Sequence, residues 1–294
     1  MNIVKSGFVA IVGLPNVGKS TLMNAVIGEK LSIISPKPQT TRTRVMGILN
    51  LDGCQMIFLD TPGFHAPKTK LGEYMVKEVS GSISDVDVAV LVVDPLKRSE
   101  DSLQAMAQKI NLRKMPAILA INKIDILGGQ RVAEAILDYK DLCDFKAIVP
   151  ISARLGTGVN ELIDEIKKEM PDGPELFPQD MLTDQLERQI AAEIIREKLL
   201  IYLDEEVPHG TAVEIESMGE KKDTLFISAT IFCEKDSHKG IIIGKHGAML
   251  KKIGSGARKD LTDFFDSKVF LELFVKVREN WRNKGRDLKD LGFK

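Results

Sequence analysis

One octapeptide constrains this chain more than any other stretch. Gly13-Leu14-Pro15-Asn16-Val17-Gly18-Lys19-Ser20 directly follows an apolar run at residues 8–12 and precedes a helical pattern at 21–27, in which Leu22, Ala25 and Val26 are apolar. G-x-x-x-x-G-K-S in that context demands a strand that ends, a loop that turns on two glycines and a helix that begins. Gly13 and Gly18 let backbone N–H groups converge on a phosphate, and the open first turn of the helix adds positive potential there. Lys19 supplies a point charge for the β and γ oxygens, and the Ser20 hydroxyl supplies part of a Mg²⁺ shell. The bland alternative, a Gly-rich βα turn, is disfavoured by the strand before and the helix after.

The surrounding pattern agrees. Short runs rich in Val, Ile and Leu at residues 8–12, 55–60, 86–93, 117–122 and 147–151 alternate with amphipathic stretches up to about residue 170. Continuous apolar strands separated by helices predict an α/β fold with a mostly parallel sheet covered by helices on both faces, here a P-loop module over residues 1–172. Residues 171–178 hold three prolines, which stop a helix and predict a short stiff linker at 173–180. From 181 to 294 the order changes to a helix at 183–203, strands at 212–218 and 224–232, a Gly-rich turn, a helix at 248–265 and a strand at 268–277. Leu225, Ile227, Ala229 and Ile231 alternate with polar or aromatic neighbours, as in a sheet with one buried face. The second module is therefore a smaller α+β domain, and 294 residues suit two domains better than one or three.

Charge and cysteine content exclude several classes. Lys plus Arg total 41 against 42 Asp plus Glu, a formal charge of −1, so the chain cannot coat nucleic acid through bulk charge and needs a local patch. The three cysteines, Cys54, Cys143 and Cys233, form no C-x-x-C pair and suggest neither zinc nor a disulfide framework. No apolar run approaches a membrane span, and the start of the chain lacks a cleavage-type site. A reducing cytoplasm is the expected compartment.

Three further motifs sit at expected strand ends. Asp60-Thr61-Pro62-Gly63 follows the run ending at Leu59, where Asp60 suits Mg²⁺ through water and the Gly63 N–H suits a γ-phosphate. Asn122-Lys123-Ile124-Asp125 ends the fourth run. An ionised Asp125 accepts both N1–H and the 2-amino group of guanine, a donor pair that adenine lacks. The Lys123 stem can pack along the base, and Ser152-Ala153 can approach it through backbone N–H. Between the octapeptide 13–20 and Asp60 lies the polar loop 36–44, whose bland reading is a solvated loop.

Together, residues 13–20, Thr40-Thr41-Arg42, residues 60–63, residues 122–125 and Ser152-Ala153 resemble the five-motif set of translation-factor-type GTPases. The resemblance implies GTP or GDP as ligand, Mg²⁺ held by Ser20, Thr41 and Asp60, and Lys19, Thr41, Asp60, Gly63 and Asn16 as the residues of hydrolysis. Ras-like enzymes carry glutamine after the third motif, and here the residue is Phe64, which cannot orient water, so hydrolysis is expected to be slow without help. Asn16 resembles the asparagine that helps hold a potassium ion in related GTPases.

In the second module, Gly244-Lys245-His246-Gly247 stands between an apolar run and the helical stripe Leu250, Ile253, Ala257, Leu261 and Phe264. Residues 235–259 hold seven basic side chains, among them Lys239, Lys245, Lys251, Lys252 and Arg258, against one acidic. The residues alone leave two readings: a backbone turn that grips a sugar–phosphate strand, or a glycine cap followed by a solvated lysine face. The element order resembles a type II KH domain, which favours RNA over DNA. Trp281 is expected in packing rather than on a base, His246 in a turn rather than in catalysis, and the stripe Leu186, Ile190 and Ile194 in a core rather than on a membrane. Gly254 and Gly256 in the last helix suggest close approach of another element.

A GTPase module joined by a short linker to a KH module, over essentially the whole chain, resembles the Era family of bacterial GTPases. The resemblance implies binding near the 3′ end of 16S ribosomal RNA, a role in 30S subunit assembly, and loose contact with the inner face of the membrane. Two rival readings remain open: an RNA-binding module with guanine nucleotide as a slowly turned-over cofactor, and a GTPase serving an RNA-modification complex.

Overall fold

A computed structural model describes residues 4–63, 69–82, 86–96 and 100–293. The chain forms two compact units, one of Met1–Ser32, Thr41–Ala66 and Met75–Asp184, the other of Ile33–Thr40, Pro67–Tyr74 and Gln185–Lys294. Helices and strands follow in the order β1 (Val4–Gly13), α1 (Lys19–Ile27), β2 (Val45–Leu51), β3 (Cys54–Asp60), α2 (Lys70–Ser82), β4 (Val88–Val93), α3 (Glu100–Leu112), β5 (Ala117–Ile121), α4 (Gly129–Tyr139), β6 (Phe145–Pro150), α5 (Val159–Glu169) and β7 (Asp172–Gly173).

The sheet of the first unit runs β2-β3-β1-β4-β5-β6, parallel from β3 onward, with β7 pairing β1 on the side. Every residue of β3, β4 and β5 is buried, which is why β4 and β5 read as unbroken apolar runs rather than alternating ones. Parallel strands share a direction, so the ends of β1, β3, β5 and β6 lie along one edge, where an open α/β sheet places its ligand. Strand β2 was not among the expected strands. It pairs antiparallel with β3 from Val45 opposite Asp60 to Leu51 opposite Cys54.

The proline-rich stretch after β7 belongs to the first unit. Gln55 on β3 is buried, and its side-chain oxygen accepts the N–H groups of Leu176 and Phe177 at 2.7 and 2.9 Å, while its amide donates to the Phe177 carbonyl at 2.8 Å. Farther on, Ile48 N–H donates to the Leu182 carbonyl at 2.8 Å and the Thr183 hydroxyl to the Met46 carbonyl at 2.7 Å. Phe177 and Met181 cover the apolar face made by Met46, Ile48, Ile57 and Leu59. Residues 173–184 thus lie against β2 and β3 instead of hanging free. The helix expected from 183 begins only at Glu187, where Gln189 closes its first turn by accepting from Leu186 N–H at 3.1 Å.

The second unit holds α6 (Glu187–Tyr202), β8 (Ala212–Lys221), β9 (Thr224–Cys233), α7 (Asp236–Ile243), α8 (Ala248–Phe265), β10 (Lys268–Val277) and α9 (Gly285–Asp290). Its sheet runs β10-β9-β8, with β9 antiparallel to β8 and parallel to β10. Ile227, Ala229 and Ile231 face a core with Ile194, Ile195 and Leu199 of α6 and Ile253, Ala257 and Leu261 of α8. Gly256 brings α6 and α8 close, because a Cβ there would stand 2.9 Å from the Tyr202 hydroxyl. Trp281 is fully buried and its indole N–H donates to the Gly210 carbonyl at 2.9 Å, so it packs and offers no stacking face.

Candidate nucleotide and RNA sites

The loop after β1 is built around two glycines that cannot carry a side chain. Gly13 (φ +155°) packs its α-carbon against the Val92 carbonyl, and Gly18 (φ +101°) against the Asn122 amide, each closer than a Cβ allows. Leu14, Pro15, Asn16 and Val17 span the turn between them, with Asn16 in the left-handed region at φ 61°. Lys19, the first residue of α1, is buried, and its ammonium donates to the carbonyls of Gly13 and Leu14 at 3.2 and 3.0 Å. The charge is thereby held inside the loop whose amides face the same cradle.

Ser20, Thr41 and Asp60 meet, as the sequence reading expected of a Mg²⁺ shell. The Ser20 and Thr41 hydroxyls lie 2.8 Å apart, and Thr41 donates to Asp60 Oδ2 at 3.3 Å. Asp60 is 0% exposed at the end of β3, and its Oδ1 has no hydrogen-bond partner among the described residues. Burial pushes its carboxyl up from the ordinary aspartate value, with the nearby Lys19 ammonium pulling the other way. A buried carboxylate oxygen without a partner is costly unless a cation meets it, so the donor set fits a hard, oxygen-seeking ion such as Mg²⁺. Thr61 ties the following turn to the sheet by donating to the Ile11 carbonyl at 3.0 Å. Pro62 and Gly63 follow, and a Cβ on Gly63 would stand 2.8 Å from Pro15 Cα, so this turn lies against the phosphate loop. Phe64 lies outside the described residues.

Asn122 pins three loops together. Its amide donates to the Val17 carbonyl at 2.8 Å, and its carbonyl oxygen accepts from the N–H of Lys123 at 2.8 Å and of Ala153 at 3.0 Å. Lys123 takes a left-handed conformation, φ 68°, and its ammonium bridges the Asn16 carbonyl at 3.0 Å and Asp94 at 2.7 Å. Ile124 opens a short 3₁₀ turn that presents Asp125. Asp125 accepts from the Ser152 hydroxyl at 2.8 Å and from Arg154 at 2.7 Å. These partners, the Ser152 hydroxyl first, hold its carboxyl below the usual aspartate range, so it stays an acceptor-only group suited to the donor edge of guanine. Asp94 and Arg154 were not foreseen, because each acquires its partner across separate loops and no local motif marks it.

In the second unit the turn Gly244-Lys245-His246-Gly247 links α7 to α8. Gly244 (φ 72°) and Gly247 (φ 77°) adopt conformations that favour glycine, and a Cβ on Gly244 would come 2.7 Å from that of Met249. Lys245 and His246 are exposed at the tip, with His246 at φ 51°, a turn residue as expected. Lys251, Lys252 and Arg258 are exposed on α8, Lys251 and Arg258 seven residues apart and so on one side of the helix. Lys239 is half-buried on α7. Lys252 also lies over the Tyr202 ring at 4.5 Å, which fixes its stem on α6. A turn that exposes its backbone beside a row of cations is suited to a sugar–phosphate strand.

Known proteins share both arrangements. A family model described as a 50S ribosome-binding GTPase matches residues 8–123, and a KH domain model matches residues 206–282. The GTPase Era of Ruminiclostridium cellulolyticum is 50% identical over 291 residues, covering 99% of this chain and 98% of that one. The GTPase Era of Clostridium kluyveri is 50% identical over 292 residues, covering 99% of this chain and all of that one. Among solved structures, an Aquifex aeolicus Era variant bound to GDP·AlF4⁻ superposes with a TM-score of 0.94 at 41% identity, over 98% of this chain and 99% of that chain. An Era in complex with MgGDPNP and nucleotides 1506–1542 of 16S ribosomal RNA does so with a TM-score of 0.94 at 41% identity, over 99% of each chain. With half its residues shared along nearly the full length of such relatives, and a nucleotide cradle and KH turn both in place, this chain belongs to the Era family of GTPases.

Proposed function

We propose that the chain is a GTP-hydrolysing switch that binds 16S ribosomal RNA near its 3′ end and acts in assembly of the 30S subunit in the cytoplasm. The first unit, which includes residues 173–184, carries the nucleotide chemistry, and residues 185–294 carry the RNA grip. The observation that carries this reading is the meeting of Ser20, Thr41 and Asp60 beside the Lys19 loop. Thr41 sits on a loop rather than on the sheet, so its place in the shell depends on loop order, the usual currency of a nucleotide switch. Ser20, Thr41 and Asp60 would hold Mg²⁺, which when bound neutralises charge shared by the β and γ oxygens. Residues 13–20 bind the phosphates, Gly63 N–H meets the γ-phosphate, and Asp125 with Ser152 and Ala153 selects guanine.

Finer features follow from the same reading. Phe64 orients no water, so unassisted turnover is slow. Asn16 helps hold a potassium ion near the phosphates, and equal turnover in potassium and sodium buffers argues against it. A weak peripheral contact with the inner membrane face is implied by the family resemblance and is read by cosedimentation with anionic vesicles. Among the described residues, no helix is long and apolar enough to cross a membrane.

The deciding experiment titrates labelled 3′-terminal 16S fragments into the GDP form and into the form with a non-hydrolysable GTP analogue. The analogue form binds RNA more tightly, and RNA tightens the analogue by the same factor, because coupling is reciprocal. Equal RNA affinity in both forms refutes the switch and leaves nucleotide as a structural cofactor.

A further inference from the structure

Residues 33–40 come just before Thr41, yet they pack within the second unit. Three consecutive charged residues of α6 hold them or brace the hold: Arg196, Glu197 and Lys198 are only 2%, 3% and 7% exposed. Buried charges in a row are expensive unless each has a partner. Glu197 accepts the Ile34 N–H at 2.9 Å with one oxygen and the Lys198 ammonium at 3.0 Å with the other. Lys198 is braced in turn by Asp260 of α8 at 2.6 Å. Burial disfavours the ammonium, but Asp260 and Glu197 outweigh it and raise the Lys198 pKa above the ordinary lysine value. Arg196 is clamped by both oxygens of Glu193 at 2.7 and 2.5 Å and donates to the Thr40 carbonyl. Within the segment, Thr40 donates to the Lys37 carbonyl at 2.7 Å and lies 2.8 Å from the Ser35 hydroxyl, while Lys37 donates to the Leu203 carbonyl.

The loop is thus gripped at both ends, and the Arg196 grip is one peptide bond away from Thr41. With the grips in place, Thr41 already stands on Ser20 and Asp60. We propose that Arg196 and Glu197 are positioning residues for Thr41, and that by holding the Thr40 carbonyl and the Ile34 amide they set how strongly the nucleotide site prefers triphosphate over diphosphate. The inference rests on the GTPase reading, in which Thr41 meets Mg²⁺ and γ-phosphate and so matters for GTP but not for GDP. It adds that residues of α6, which touch no nucleotide, act through the loop. An ungripped loop must be ordered anew each time the triphosphate binds, and that entropy opposes the triphosphate alone.

The test measures the Kd of GDP and of a non-hydrolysable GTP analogue, with Mg²⁺, for the full chain and for Arg196→Ala, Glu197→Ala and Ile34→Pro. Ile34→Pro removes the donated N–H while leaving α6 intact, so it reports even where an α6 variant fails to fold. The expected result is a roughly tenfold fall in the ratio of analogue to GDP affinity, the scale of one charge-assisted hydrogen bond, with GDP affinity unchanged. Arg196→Lys keeps a charged donor and Glu197→Gln keeps one acceptor oxygen for the Ile34 N–H, so each restores part of the ratio relative to its alanine variant, which a merely structural role does not predict. An unchanged ratio in Ile34→Pro, or equal losses for both nucleotides, overturns the proposal. Failure of the unaltered chain to bind guanine nucleotides refutes instead the GTPase reading beneath it.

Discussion

Replacing Asn122 with Ala removes three hydrogen bonds at once. The side chain is almost wholly buried and joins the Val17 carbonyl to the N–H groups of Lys123 and Ala153. Each bond is worth about 1 kcal/mol net, so the fold loses about 3 kcal/mol. At about 2–4 °C per kcal/mol for a unit of this size, Tm falls by about 6–12 °C. Two of the three bonds join loops that are separate in sequence, those to Val17 and Ala153, and both loops must be aligned for a nucleotide to bind. Their loss, about 2 kcal/mol, raises the Kd for GDP by about thirtyfold. Asn122→Asp keeps the oxygen that accepts the two N–H groups but turns its second oxygen toward the Val17 carbonyl, so it recovers part of the stability and less of the affinity. Thermal unfolding and titration with a fluorescent GDP analogue read the two effects separately. If Asn122→Ala binds GDP within threefold of the unaltered chain, the loops are aligned by something other than this amide and the reasoning is wrong.

Other outcomes follow from the same geometry. Asp125→Asn exchanges one acceptor oxygen for a donor, so preference moves from guanine toward xanthine nucleotides; competition binding in which GDP still wins contradicts the assignment of the base. The depressed Asp125 pKa means that the carboxyl is ionised above the unfolded value of about 3.9 and that its contribution is lost only as pH falls through the lower folded value. The ratio of GDP to ADP affinity therefore stays flat from pH 8 to 5, and a midpoint inside that range refutes the pairing with Ser152 and Arg154. Cys54, Cys143 and Cys233 are buried and burial raises each thiol pKa, so none reacts with a thiol reagent at pH 7.5 until denaturant is added. Rapid reaction of one thiol in the native protein contradicts that burial.

Much of the candidate nucleotide site was legible because its chemistry is local. The glycines of 13–20, the acid at 60 and the acid at 125 each stand where a buried parallel strand ends, and such strands are conspicuous as continuous apolar runs. Strand β2 escaped notice because VMGILNL has Gly47 near its middle, ends partly exposed and follows a polar loop. Arg196, Glu197 and Lys198 carry no local signal, since three charges in a row give no sign that each finds a buried partner. The close approach of helices at Gly256 was visible as a glycine where propensity disfavours one. The partners Asp94 and Arg154 become evident only when loops meet.

Three stretches from different parts of the chain compose the second unit, and this has a consequence for inheritance. A gene fusion joined at residue 184 takes α6 from one parent and residues 33–40 from the other. The amide at Ile34 and the carboxylate at Glu197 then come from lineages that never had to match. Hybrids among relatives should therefore work when the early loop travels with the late helix, and falter when the two are shuffled independently.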